Sequence, residues 1–70
     1  MSYFNYHAKA KKMIKEGKLV GFYFVDSYNN ISPCMVLLFN DLTHPVMPIR
    51  AERWGEYTYI LPKEKFIDKD

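Results

Sequence analysis

Five lysines, Lys9, Lys11, Lys12, Lys15 and Lys18, fall within ten positions near the start of the chain. A row of ammonium groups can neutralise nucleic-acid phosphates and release their counterions, the main source of sequence-independent affinity. Exposed Tyr23, Trp54, Tyr57 or Tyr59 would add base stacking. The chain has no RNP glycine-aromatic motif, no GXXG loop and no helix-turn-helix pattern. Nucleic-acid binding is therefore a reading of charge alone. The plainer reading is the solvated side of an amphipathic helix, interrupted only by Glu16.

Arg50 and Arg53 form a second basic group, in the densest polar and aromatic stretch of the chain, Pro48 to Trp54. A guanidinium can hold a carboxylate or phosphate through two parallel hydrogen bonds. The plainer alternative pairs these arginines with Glu52 and Glu56 on a surface turn around Trp54.

Catalytic chemistry has one set of residues to draw on: Cys34 as nucleophile, His44 as base and Asp26 as orienter. A Cys–His pair needs hydrogen-bond reach and a depressed thiol pKa. Cys34 lies in a predicted strand among apolar neighbours, and His44 sits in a loop before Pro45. Nothing in the spacing brings the two together, so no catalytic residue is assigned and no enzyme activity is expected. His7 and His44 with one cysteine match no zinc spacing, and His7 reads as a helix-surface residue near Lys11. Gly17, Gly21 and Gly55 are isolated, which excludes a glycine-rich phosphate loop. No metal or cofactor is expected.

The elements that carry these residues follow from periodicity. Asn5 can cap a helix starting at Tyr6, with Ser2 as the alternative cap. The stretch His7 to Glu16 contains good helix formers and no Pro or Gly, and Gly17 suits the position just past the helix end. Tyr3, Tyr6, Ala10, Met13, Ile14 and Gly17 share one side of the wheel. Lys11, Lys12, Lys15 and Lys18 share another.

Next come two runs of apolar, aromatic and β-branched residues, Leu19–Tyr28 and Ile31–Phe39, flanking Asn29-Asn30. That pattern predicts a hairpin with a type I′ turn, since asparagine tolerates positive φ. The register sets Tyr28 opposite Ile31, Phe24 opposite Met35 and Phe22 opposite Leu37. Alternation then gives two apolar faces. Val20, Phe22, Phe24, Tyr28, Ile31, Pro33, Met35, Leu37 and Phe39 form the first, expected under the helix. Leu19, Gly21, Tyr23, Val25, Cys34, Val36 and Leu38 form the second.

Val46 to Ile49 suits a short edge strand broken by prolines. Arg50–Leu61 has two readings, a helix on the spacing of Trp54, Tyr57 and Leu61, or a turn followed by a strand at Tyr57–Ile60. The β-rich run and Gly55 favour the second. Residues 63–70 are charged and expected to fray, with Phe66 and Ile67 able to dock.

Seventy residues make one domain, 1–70, and one so small is marginal on a core alone. The 49% hydrophobic and 17% aromatic content excludes a disordered chain. One cysteine excludes an intrachain disulfide, so oligomerisation is the remaining common source of stability. The N-terminus lacks a signal-type apolar core, and no run is long enough to span a bilayer, so no membrane role is expected. A lone apolar cysteine fits a reducing compartment, hence a cytoplasmic location.

The expected fold is α+β: an N-terminal amphipathic helix packed on a three- to four-stranded, mainly antiparallel meander. The expected function is non-enzymatic binding through sheet-mediated self-association or contact with a protein partner. Its expected surface is Leu19, Tyr23, Val25, Val36 and Leu38, unless Trp54, Tyr57, Ile60 and Leu61 fold back over that face. The lysine row gives the alternative, a nucleic-acid partner.

Overall fold

The structure is a computed structural model that describes residues 5–68. It is an α+β arrangement with one N-terminal helix, α1 (Tyr6–Lys15), and three strands, β1 (Leu19–Val25), β2 (Cys34–Phe39) and β3 (Val46–Arg50). The strands pair antiparallel in the order β1-β2-β3. A 3-10 helix, Ala51–Glu56, and one further 3-10 turn, Lys63–Lys65, complete the elements of the described residues.

α1 is bounded by side-chain and backbone chemistry at both ends. The Asn5 side chain accepts from the Ala8 amide at 3.0 Å, satisfying one of the orphan donors of the first turn. Ser2, the other candidate cap, and Tyr3 lie outside the described residues. At the far end Gly17 has φ +78°. Its amide donates to the Ile14 carbonyl, and the Lys18 amide donates to that of Met13. This paired closure needs a left-handed residue, which glycine supplies without a Cβ penalty.

The hairpin has the predicted register. Phe24 pairs with Met35, Phe22 with Leu37, and Tyr28 bridges Ile31. Asn29 and Asn30 have φ 47° and 67°, the two positive values a type I′ turn requires. The Ser32–Pro33 peptide is cis.

One bulge changes which side chains share a face. Leu19 pairs with Phe39 and Gly21 with Leu38, so Val20 is the extra residue. Strict alternation assigned Leu19 to the second face. The bulge turns it onto the first, where it is buried with Phe22 and Phe39. Val20, assigned to the core side, is exposed instead.

The core lies on the first face. Ala10, Met13 and Ile14 of α1 join Leu19, Phe22, Met35, Leu37, Phe39, Met47, Ile49 and Tyr57 in one cluster. Tyr6, Trp54, Ile60 and Leu61 pack at its margin. The fold-back segment therefore covers the first face, not the second.

Arg50–Leu61 does not form the expected strand. After the 3-10 helix, the amides of Ile60 and Leu61 both donate to the Tyr57 carbonyl at 3.0 Å, making a tight turn. Two anchors hold the segment in this shape. Tyr57 is fully buried in the core, and the Trp54 indole donates back to the Ile49 carbonyl at 2.8 Å. The outer edge of β3 is blunted as well. Pro48 offers no amide, and its carbonyl is taken by the Tyr6 hydroxyl at 3.0 Å.

Phe66 and Ile67 dock against β1. Phe66 bridges Phe22 in parallel, and the Ile67 amide donates to the Phe22 carbonyl at 2.8 Å. This strap sits beside β1 because Gly21 makes room for it. A Cβ at Gly21 would come within 2.6 Å of Ile67 Cδ1.

Candidate functional site

A cluster of aromatic rings stands at the open end of the first face. Phe24 packs against Trp54 with ring centroids 5.1 Å apart, against Phe66 at 6.1 Å and against Phe22 at 6.4 Å. The rings come from three different parts of the chain: β1, the 3-10 helix after β3, and the strap. Beside them is a groove of about 360 Å³ lined by Phe22, Phe24, Met35, Trp54, Thr58, Leu61 and Lys63. Phe24 is 45% exposed and Phe66 48% exposed, although both belong to this packed cluster. Large apolar side chains left wet beside an apolar hollow are the surface pattern of a contact site.

The second hairpin face is less open than its sequence implied. Cys34 and Val36 have no solvent exposure, and Tyr23, Val25 and Leu38 are half-buried. With Leu19 turned to the core, the five residues expected to form one apolar patch are divided between two sides of the sheet.

The lysine row is also divided. Lys11 Nζ lies 2.7 Å from Glu56 Oε1 and 5.8 Å from the centre of the Tyr57 ring. Lys18 approaches Glu16 at 3.7 Å. Lys12 and Lys15 are exposed, and Lys9 is half-buried. Two of the five charges are therefore partly compensated within the fold.

The two arginines have different surroundings. Arg53 grips Glu56 through Nε and Nη2, so its fork is occupied. Arg50 ends β3 exposed, beside Tyr6 and His7. Those two hydrogen bonds and the Lys11 ammonium hold the Glu56 carboxyl at about 2, well below its usual range.

Next to this cluster is a contact that the sequence did not reveal. His7 Nδ1 lies 2.7 Å from the hydroxyl of Tyr57, fifty residues away. Burial pushes the Tyr57 phenol up, which keeps it protonated and a donor. Burial also lowers the His7 imidazole, with the Arg53 charge adding to the effect.

The proposed nucleophilic set is not assembled. Cys34 opens β2 opposite Arg50, whereas His44 lies in the loop at the other end of that strand. His44 belongs to a turn built on Asp41, whose Oδ2 accepts from the Thr43 hydroxyl at 2.8 Å and the His44 amide at 2.9 Å. Burial raises the Cys34 thiol, the opposite of what a thiolate nucleophile needs. Asp26 stays exposed near the hairpin turn, its carbonyl accepting from the Ser32 hydroxyl at 2.7 Å. Among the described residues no three histidine, cysteine or carboxylate side chains are grouped to hold a metal ion. No described helix is long and apolar enough to cross a membrane.

No family model, curated protein or solved structure matches the chain, so the functional reading rests on its own residues and their geometry.

Proposed function

We propose that this protein is a small binding module that associates with a second copy of itself through the aromatic groove. One observation carries the reading: an exposed aromatic ring and an apolar hollow lie side by side on a single patch. The Phe66 ring, 48% exposed, packs against Phe24, which lines the groove together with Trp54, Thr58 and Leu61. A twofold contact requires one patch that complements itself, and an exposed ring beside a hollow meets that condition. Charge is compatible with it. The strap carries Lys63 and Glu64 side by side and exposed, so opposite signs can meet across a twofold axis. The need for cover is physical too, because a chain of this size without disulfides gains stability by burying apolar surface against a partner.

The sheet contributes through Phe24 on β1, while the second hairpin face, with Val36 already buried, has less to offer. Isotope-filtered NMR on a mixture of labelled and unlabelled chains tests the contact. Intermolecular cross-peaks between the Phe66 ring and the Trp54 indole are expected. Their absence at millimolar concentration would count against the groove as the contact.

Nucleic-acid binding is the second reading, favoured by the exposed charges of Lys12 and Lys15 on α1. It predicts retention on single-stranded DNA that falls steeply as salt rises. Flow-through at low salt would remove it.

A further inference from the structure

A second cavity, of about 330 Å³, lies between the first turn of α1 and the outer edge of β3, lined by Tyr6, His7, Ile31, Pro48 and Arg50. It shares no lining residue with the aromatic groove. Its volume is at the lower end for small-molecule sites, which bury most of a ligand against apolar walls and orient it with a few polar groups.

The walls fit that description. Ile31, Pro48 and the Tyr6 ring are apolar, and the Tyr6 hydroxyl is already committed to the Pro48 carbonyl. Two donors remain. Arg50 has no ion pair or side-chain hydrogen bond among the described residues, in contrast to Arg53, Lys11 and Lys18. His7 supplies the other. The buried Tyr57 hydroxyl has no acceptor among the described residues except His7 Nδ1, so it donates there. A neutral imidazole accepting at Nδ1 carries its proton on Nε2.

We propose that this cavity binds a small monocarboxylate with an apolar body. The carboxylate sits on the Arg50 guanidinium, His7 Nε2–H is the second donor, and the body lies against Ile31, Pro48 and the Tyr6 ring. Arg50 is the one lysine or arginine among the described residues that line the cavity, which suits a singly charged ligand. A phosphate dianion would leave one charge uncompensated beside apolar walls. A planar carboxylate also matches the guanidinium fork, which can hold it through two parallel bonds.

Titration of the full chain with hexanoate, followed by NMR at the Arg50 Nε–H and the His7 ring, tests this. Saturable shifts at both groups are expected, with an apparent Kd of about 1 mM or tighter. Hexanamide and inorganic phosphate should bind at least about tenfold more weakly, since one lacks the charge and the other the apolar body. Arg50→Gln should weaken hexanoate binding by about tenfold or more, while Arg53→Gln stays within about twofold of the parent. Arg50→Lys keeps the charge without the fork and should fall between the parent and Arg50→Gln. N-acetyl-leucine distinguishes the source of the carboxylate: tighter binding than hexanoate indicates a peptide C-terminus, weaker binding a free acid. The proposal is overturned by no saturable shift up to about 20 mM, by equal binding of hexanamide, or by an Arg50→Gln variant that binds as the parent does.

Discussion

His7 Nδ1 and the Tyr57 hydroxyl, 2.7 Å apart, join the first turn of α1 to the one aromatic side chain that is fully buried among the described residues. The bond depends on protonation state. A neutral imidazole can accept the phenol proton at Nδ1, whereas an imidazolium cannot. Burial and the Arg53 and Lys11 charges lower the His7 pKa, with Glu56 opposing them. The folded pKa therefore lies below the ordinary 6.5. The stabilisation is fully present above 6.5 and is lost as pH falls through the folded value. Tyr57→Phe should cost about 1 kcal/mol at pH 7 by removing the hydrogen bond, and His7→Gln should remove the acid-dependent step, both as read by urea unfolding at a series of pH values. An unchanged pH profile in His7→Gln would separate the step from His7.

Glu56 titrates in a different window. Its pKa is held at about 2 by the hydrogen bonds from Arg53 and Lys11, against an ordinary 4.5. A depressed carboxylate stabilises above its unfolded pKa, and that contribution disappears as pH falls from 4.5 toward 2. Arg53→Gln should raise the Glu56 pKa, and by more than Lys11→Gln does, because the arginine bonds are the larger cause. Carboxyl carbon chemical shifts against pH give both values directly.

Gly21 sets how closely the strap approaches β1. Valine suits a strand elsewhere, but here its Cβ would fall 2.6 Å from Ile67 Cδ1 and 3.3 Å from the Lys65 carbonyl. Gly21→Val is expected to displace the strap, to cost about 1–3 kcal/mol, and to speed hydrogen exchange at the Ile67 amide. Exchange at amides in the β2–β3 ladder should change far less.

Gly17 offers a cleaner backbone test, because nothing surrounds the position where a Cβ would go. Any loss in Gly17→Ala comes from placing a side chain at φ +78°. About 1 kcal/mol is expected in thermal or denaturant unfolding, with no change in the core.

Much of the fold could be read from local chemistry. The Asn5 cap, the Gly17 stop, the Asn29-Asn30 turn and the hairpin register all appear as expected. Each is set by residues within a few positions of one another or by strict alternation. Three features could not be read this way. The Val20 bulge moves Leu19 to the other face, and a single sequence carries no period that marks where alternation slips. Tyr57–Ile60 has strand-like composition, yet Tyr57 is drawn into the core and the β3 edge is already blocked by Pro48 and Tyr6. The strap depends on the fit of Ile67 over Gly21, a contact between residues far apart in the chain.

The candidate sites follow the same division. Lysines at helical spacing and paired arginines are visible in one dimension. Which of them is already neutralised is not: Glu56 occupies Arg53 and Lys11 and leaves Arg50 available. Likewise the aromatic groove assembles Phe24, Trp54 and Phe66 from segments that sequence spacing does not connect.

Self-association through the aromatic groove is tested most directly by molecular mass in solution. Sedimentation equilibrium on the parent chain should give a dimer of about 17 kDa, twice the 8.4 kDa of one chain. Phe24→Ser, a change at a half-exposed ring on the groove, should return the mass to 8.4 kDa with an unchanged far-ultraviolet circular dichroism spectrum. A parent chain that stays at 8.4 kDa up to millimolar concentration, or a Phe24→Ser variant that remains dimeric, would contradict it.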